Sequence, residues 1–420
     1  MVQTVHPSSQ SSQSTGPLAS PALPMHQVLL CGALIVTLAM GIRHGFGLWL
    51  QPITMERGWT RETFAMAIAV QNLAWGVAGP FAGMLADRFG AFRVLVAGAL
   101  LYALGLVGMA LASSGLGFTG SAGLLIGMAQ SGVTYSVVYG VIGRQVAAEK
   151  RSWAMGVTAA AGSFGQFLMV PVESWLIAHW GWQDALLVLA CLVLVIAPLA
   201  RGLREPVVTA HAGFKQSVGS AVREAFSHPS FRWLMAGYFV CGFQVVFIGV
   251  HMPSYLKDHG LPPEVATTAL ALIGLFNVIG TYTAGALGQR MPKRYILSAI
   301  YALRSVVIVA FLLVPLSPIS VYLFAATMGV LWLSTVPPTN ALVAQIFGVQ
   351  YLSMLGGIVF LSHQLGSFLG VWLGGRLYDL SGSYDVVWWI AVALGVLAAL
   401  ANLPVRETVI ARGPALGAAA

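Results

Sequence analysis

Gly83-Met84-Leu85-Ala86-Asp87-Arg88-Phe89-Gly90-Ala91-Phe92-Arg93 interrupts two long apolar runs, and part of it returns 202 positions later, where Gly285, Leu287 and Arg290 answer Gly83, Leu85 and Arg88. Upstream, the same offset pairs Glu56, Gly58 and Glu62 with Asp258, Gly260 and Glu264. Downstream, Gly156, Gly165, Phe167, Gly181 and Asp184 are matched by Gly357, Gly366, Phe368, Gly382 and Asp385 at an offset of 201. The chain is therefore two copies of one unit reading in the same direction. In an apolar chain, such parallel repeats are the pattern of proteins whose halves rock about a shared central site.

Composition fixes the solvent. Hydrophobic residues make up 58% of the chain and charged residues 8%, against about 45–50% and about 25% in soluble domains. A water-facing surface cannot be covered from that stock, so the expectation is an all-α polytopic membrane protein. A crossing takes about 20 apolar residues, and the sequence predicts twelve, at 28–50, 62–86, 94–112, 118–143, 153–177, 184–200, 233–256, 265–288, 295–314, 319–343, 352–375 and 386–403. This divides the chain into a disordered cytoplasmic tail (1–25), a six-helix bundle (26–200), a cytoplasmic linker (201–232), a second six-helix bundle (233–403) and a cytoplasmic tail (404–420), the bundles being related by a pseudo-two-fold. Within the linker, the stretch from Phe214 to Phe226 reads as an amphipathic surface helix. Residues 1–25 lack the basic start of a signal peptide.

Basic residues orient the spans. The loops on one side carry Arg88, Arg93, Arg144, Lys150, Arg151, Arg290, Lys293 and Arg294, besides those of the linker and tail, while the other side holds Arg57, Arg61, Lys257 and Arg376. The positive-inside rule then puts both termini in the cytoplasm of a multi-pass protein of the cell inner membrane. The formal charge of +8 thus reports topology and attraction to membrane lipid, and no nucleic-acid partner is expected. Cys31, Cys191 and Cys241 fall within spans and offer neither a disulfide framework nor metal spacing. No phosphate-cradling G-x-x-x-x-G-K-[ST] run, no H-E-x-x-H and no in-span carboxylate pair occurs, so neither ATP drive, a cofactor nor enzymatic chemistry is expected.

The Gly83–Arg93 loop resembles the signature loop of the major facilitator superfamily, G-x-L-x-D-R-x-G followed by basic residues, with Phe92 in a position that is usually basic. The resemblance implies the major facilitator fold, with Gly83, Asp87, Arg88, Gly90 and Arg93 forming a conformational latch. Lys150-Arg151-Ser152-Trp153-Ala154-Met155-Gly156 followed by Ala161-Gly162-Ser163 is similar to the fifth-span motif of the monocarboxylate porter branch. Gly41-Ile42-Arg43-His44-Gly45-Phe46-Gly47 and Gly58-Trp59-Thr60-Arg61 also look like bacterial members. An aspartate and an arginine of that branch's eighth span fall here on Asn277 and Thr281. The resemblance further implies that the first, fourth, seventh and tenth spans line the pathway.

Polar residues inside spans are costly and are functional candidates by default. Two cations remain once loops are set aside: Arg43, about 22 Å along the first span, and Arg304, about 14 Å along the ninth. Glu173, near the outer end of the fifth span, is the one in-span carboxylate. At least one guanidinium therefore wants an anion, which a substrate carboxylate supplies through a bidentate pair. The alternatives are a snorkelling or Glu173-paired Arg43 and an Arg304 bonded to carbonyls. Helical spacing sets Gly237, Cys241, Gln244, Ile248 and His251 on one face, Ser131, Tyr135 and Tyr139 on another, and His363, Ser367, Gly370 and Gly374 on a third. The expected substrate site is thus Arg43, His44, Tyr135, Tyr139, Gln244, Asn277 and Arg304, with His44, Glu173 and His363 as proton-coupling candidates. The expectation is a monomeric secondary transporter that moves a small organic anion, a monocarboxylate, together with protons by alternating access. An exporter of amphiphilic drugs or metabolites, and a non-transporting membrane sensor, stay open as alternatives.

Overall fold

The computed structural model describes residues 23–146, 148–205, 218–348 and 352–410, and among these residues there is no strand. The first span runs through α1 (Met25–His44), a 3-10 stretch (Gly45–Trp49) and α2 (Leu50–Arg57); the second is α3 (Arg61–Phe89) and the third α4 (Ala91–Leu111). The fourth joins α5 (Gly115–Phe118), a π-helical stretch (Thr119–Leu125), α6 (Ile126–Val133) and α7 (Tyr135–Gln145). The fifth and sixth lie in α8 (Ala148–Val193) with α9 (Ile196–Ala200). After α10 (Val218–Ser227) come α11 (Pro229–Asp258), α12 (Pro263–Leu287), α13 (Lys293–Leu313), α14 (Pro318–Leu331) with α15 (Val336–Phe347), α16 (Leu352–Ser381) and α17 (Asp385–Asn402).

Eleven helices among the described residues are long and apolar enough to cross a membrane, and one of them, Gly156–Leu203, has 48 residues. That is about 72 Å of helix, twice a hydrocarbon core of about 30 Å, and it breaks at Gly181, whose φ of 77° only glycine adopts readily. The chain thus makes twelve crossings. Gly382, the repeat partner of Gly181, has φ 71°, and the repeated pair Gly58 and Gly260 has φ 65° and 80°. These two glycine pairs are the same corners turned twice.

Each copy buries its own core. One cluster is drawn mainly from residues between Val28 and Leu203, around Trp49, Phe64 and Tyr102, and takes in Val246, Val250 and Val371 of the second copy; the other is drawn mainly from residues between Ala225 and Val405, around Phe243, Tyr301 and Trp388, and takes in Val170 of the first. At one end each bundle is clasped by a carboxylate that follows its last span. Glu205 takes a bidentate pair from Arg144, at 3.0 and 2.7 Å, and a bond from Gln145 at 3.2 Å. Glu407, 202 positions on, accepts the Arg294 backbone N–H at 2.9 Å and lies 3.9 Å from Lys293, while its carbonyl accepts from Gln345 at 2.7 Å. The expected tail from 404 is therefore packed on its bundle as far as it is described. Guanidinium Arg204 sits 5.6 Å over the Phe92 ring, so the signature loop regains, from another segment, a cation where its own sequence has none.

Two spans expected as continuous, 118–143 and 319–343, are broken. Thr134, at φ −109° and ψ −162°, separates α6 from α7, and Trp332–Thr335 separate α14 from α15. Thr134 and Thr335 are themselves a repeat pair, 201 apart. The amphipathic linker helix forms as α10, with Ala221 and Ala225 buried one turn apart and Arg223 exposed. The rest of that linker between 206 and 217, the tail before Leu23, Arg412 and the side chains of Asp87, Arg88, Lys150 and Arg151 lie outside the described residues.

Candidate functional site

The bundles meet along α3 with α16 and α8 with α12, and the end of the first span wedges between them. Gly47 packs on the Gly249 and Val250 carbonyls of α11, and His44 Nε2 lies 3.1 Å from the Leu270 carbonyl of α12. Thr267 donates to Ser174 at 2.8 Å, and Asn277 to Ser163 at 3.2 Å. Toward Arg61 the contact is a lock built of charge. Arg61 pairs with Asp258 through two N–O contacts of 2.7 Å and stacks 3.8 Å above Tyr378. Arg376 reaches Glu62 at 3.0 Å, and Trp372 donates to the same carboxylate at 3.1 Å. Asp379 of α16 accepts the backbone N–H groups of Arg61 and Glu62, at 3.3 and 2.8 Å, so one bundle caps a helix N-terminus of the other.

The opposite end is parted. Gly76 of α3 touches the Gln364 side chain of α16, while Gly79 and Gly83, on the same face of α3, and Gly357, two turns from Gln364, have nothing within 4 Å of a Cβ position. Gly83 of the signature loop therefore faces open space rather than a close helix contact, whereas Gly90 earns its place with φ 89° at the corner into α4. Among the described residues, every side-chain hydrogen bond or ion pair between the bundles lies from the middle of the spans toward Arg61. Arg93 is exposed at the parted end.

At the middle of this wedge stands Arg43. Its guanidinium donates to Asn72 of α3 and lies 4.7 Å over the Trp75 ring; Nε has no partner. Trp75 in turn packs edge-on against Phe360 of α16 at 5.2 Å. Glu173 is not its counter-ion: that buried carboxylate accepts from Trp49 Nε1 at 2.9 Å and crowds Gly45. Among the described residues Arg43 has only neutral partners.

Arg304 is placed differently. Fully buried, it donates to the Leu331 carbonyl at 3.1 and 2.7 Å and to the Trp332 carbonyl, so it holds the carbonyls left free where α14 stops. The neighbouring residues serve the same break. Gln244 meets Arg304 at 3.4 Å and donates to the Ala391 carbonyl at 2.9 Å; Asn277 accepts the Leu333 N–H at 3.1 Å; Cys241 Sγ lies 3.2 Å from Thr335 Oγ1. Arg304, Gln244 and Asn277, expected around substrate, are in this state spent on protein groups. Replacing Arg304 by Met leaves two buried carbonyls unsatisfied, at about 1–3 kcal/mol each, so a large fall in thermal unfolding temperature in detergent is expected; a variant as stable as the parent overturns this reading.

The Tyr135 and Tyr139 rings lie 5.4 Å apart, tilted by 38°, and Gly162 makes room for the Tyr135 hydroxyl. His363 faces Tyr238 and contacts Gln364 at 3.1 Å within its own bundle. The structure thus brings Arg43 and His44 to the bundle interface but does not gather Arg304, Gln244 and Asn277 about Arg43. Sequence reading missed Asn72, Trp75 and Gln364, and it used Asp258 and Glu62 only as repeat markers. The signal for the first was the in-span polar pair Gln71-Asn72.

Comparison with known proteins agrees with this architecture. The family described as Major Facilitator Superfamily matches residues 29–370. Monocarboxylate transporter 13 of Bos taurus is 24% identical over 366 residues, covering 85% of this chain and 83% of that one. An uncharacterized MFS-type transporter of Bacillus subtilis, YcxA, is 22% identical over 384 residues, covering 86% and 90%. Among solved structures, a bacterial homolog of the human lysosomal transporter Spinster superimposes with a TM-score of 0.72 at 16% identity, covering 91% of this chain and 98% of that one. Repeat, twelve crossings, paired cores and matched family together show that the chain is a multi-pass membrane protein and transporter of the major facilitator superfamily.

Proposed function

We propose that the protein carries a small organic anion, a monocarboxylate, across the cell inner membrane by alternating access and in company with protons. The observation that carries this reading is Arg43: a cation at the bundle interface, midway through a membrane span, with a neutral amide and an indole as its partners. A carboxylate from the substrate supplies the missing charge and satisfies Nε. The family resemblance to monocarboxylate porters and the printed names of several relatives point the same way. Tyr135 and Tyr139 are the proposed orienting hydroxyls; Arg304, Gln244 and Asn277 are assigned to holding the broken tenth span that faces the site.

Alternation is supported by the asymmetry of the interface. Charge and caps close the Arg61 end, whereas Gly79 and Gly83 and, opposite them, Gly357 are smooth surfaces with room to come together. With both termini cytoplasmic, the lock faces outward and the cleft opens to the cytoplasm. Asp87, Arg88 and Arg93 then belong to a cytoplasmic latch formed when the cleft closes. His44, Glu173 and His363 are candidate proton carriers, and the bundle units and monomeric state stay as read from the sequence.

The test is uptake. In proteoliposomes, accumulation of a radiolabelled monocarboxylate such as L-lactate or pyruvate is expected to rise with an inward proton gradient and to collapse with an uncoupler. Uptake that ignores the uncoupler and needs a counter-substrate inside contradicts proton coupling; no flux for any carboxylate tried, with flux of neutral or cationic amphiphiles, favours the exporter.

A further inference from the structure

Behind the lock lies a buried histidine that the site around Arg43 does not use. His251 of α11 has both ring nitrogens engaged: Nε2 lies 2.8 Å from the Val371 carbonyl and Nδ1 3.2 Å from the Tyr384 hydroxyl. Gly374 on α16 has no side chain where the imidazole presses against its helix, and any Cβ there collides with the ring. The same Tyr384 oxygen accepts from Arg61 Nη1 at 2.9 Å, and that guanidinium is the one locked to Asp258. A single hydroxyl therefore joins the imidazole to the ion pair that closes the molecule.

The partners assign the hydrogens. A carbonyl only accepts, so Nε2 carries the hydrogen; the Tyr384 oxygen is already an acceptor for Arg61, so its own hydrogen goes to Nδ1. The chain runs one way, from Arg61 through Tyr384 to a neutral His251. A proton on Nδ1 reverses the last bond: two donors then converge on one hydroxyl oxygen, and an imidazolium stands one hydroxyl away from a guanidinium. The closed lock and a protonated His251 therefore disfavour each other. When the bundles part at this end, Arg61 leaves Tyr384, water reaches the ring, and the freed oxygen accepts from Nδ1–H.

Other charged and titratable groups surround the ring. Its own helix supplies Tyr255 and Asp258, and α3 supplies Arg61 and Glu62. From α16 come Arg376, Tyr378 and Asp379, and from the start of α17 Tyr384 and Asp385; the Gly45–Trp49 stretch carries none, and Glu56 and Arg57 on α2 turn to Trp182. Of these, Arg61 is the charge joined to the imidazole through the Tyr384 hydroxyl. Burial raises the Tyr384 hydroxyl above its ordinary value, so it stays a phenol and keeps its relaying hydrogen.

We propose that His251 is a proton-binding site coupled to the Arg61 lock, taking up its proton as that end opens and giving it up as it closes. This rests on the transport reading above and names where one coupled proton sits. Spin labels on Met55 and Leu380, exposed residues at this end of opposite bundles, read the lock directly by electron double resonance. Between about pH 8 and about pH 5.5 the open-to-closed ratio of the full-length protein is expected to rise, by up to about tenfold per pH unit for one linked proton. His251→Gln, which keeps a donor and an acceptor, is expected to abolish that response, and Tyr384→Phe to blunt it with His251 intact. An unchanged pH response in His251→Gln, or none in the parent, overturns the proposal. No response in the parent with carboxylate binding retained sinks this proposal alone; a response in the parent with no carboxylate binding sinks the anion reading alone.

Discussion

Arg43→Gln is expected to abolish binding of the transported carboxylate, and Arg43→Lys to weaken it severely. The glutamine removes both the charge and the planar fork; lysine keeps the charge but cannot make the bidentate pair. Two charge-assisted hydrogen bonds at about 1.5–3 kcal/mol each, with 1.4 kcal/mol per tenfold, put the loss at about a hundredfold or more. Fold is expected to survive, because among the described residues the hydrogen-bond and ring partners of Arg43 are the neutral Asn72 and Trp75. Thermal-shift titration with carboxylates checks this, and unchanged affinity in Arg43→Gln removes Arg43 from the site. Asn72→Leu, which takes away the amide that aims the guanidinium, is expected to follow it with a smaller loss.

Breaking the lock is expected to change the state of the molecule rather than its affinity. Asp258 takes both Arg61 nitrogens, and Asp379 caps α3 across the bundle boundary. Asp258→Asn or Asp379→Asn removes bonds made in the closed arrangement alone, at about 1–3 kcal/mol each, which is a shift of roughly ten- to hundredfold toward opening at this end. A cysteine at Thr54, buried beside the lock, is then expected to react much faster with an impermeant thiol reagent added to the Arg61 side. Equal reactivity with and without the lock shows that some other contact closes this end.

The repeat in the sequence carried most of the fold. It paired Gly58 with Gly260 and Gly181 with Gly382, and all four are left-handed corners. It also paired Glu56 with Asp258, whose partners differ: Glu56 accepts from Trp182 inside its own bundle at 2.7 Å, while Asp258 crosses to Arg61. Symmetric residues take asymmetric partners when only one end of the molecule is closed, and a sequence does not record which end that is. Averaged hydropathy hid the breaks at Thr134 and Trp332–Thr335, although Gln130, Ser131, Gly132 and Ser136 flank the first and Pro337-Pro338 follow the second. The role of Arg304 was undecided in sequence because its ligands are backbone carbonyls, which carry no residue signature.

Alternating access requires that closing one end opens the other, and paired distances across both ends test this. Labels on Met55 with Leu380 report the Arg61 end, and labels on Met84 with Met354 report the end of the parted glycines. The account predicts two populations at each pair, long at one end whenever short at the other, with a transported carboxylate shifting both in opposite senses and Arg43→Gln removing that shift. Distances that lengthen and shorten together at the two ends, or that stay fixed when the carboxylate is added, contradict it.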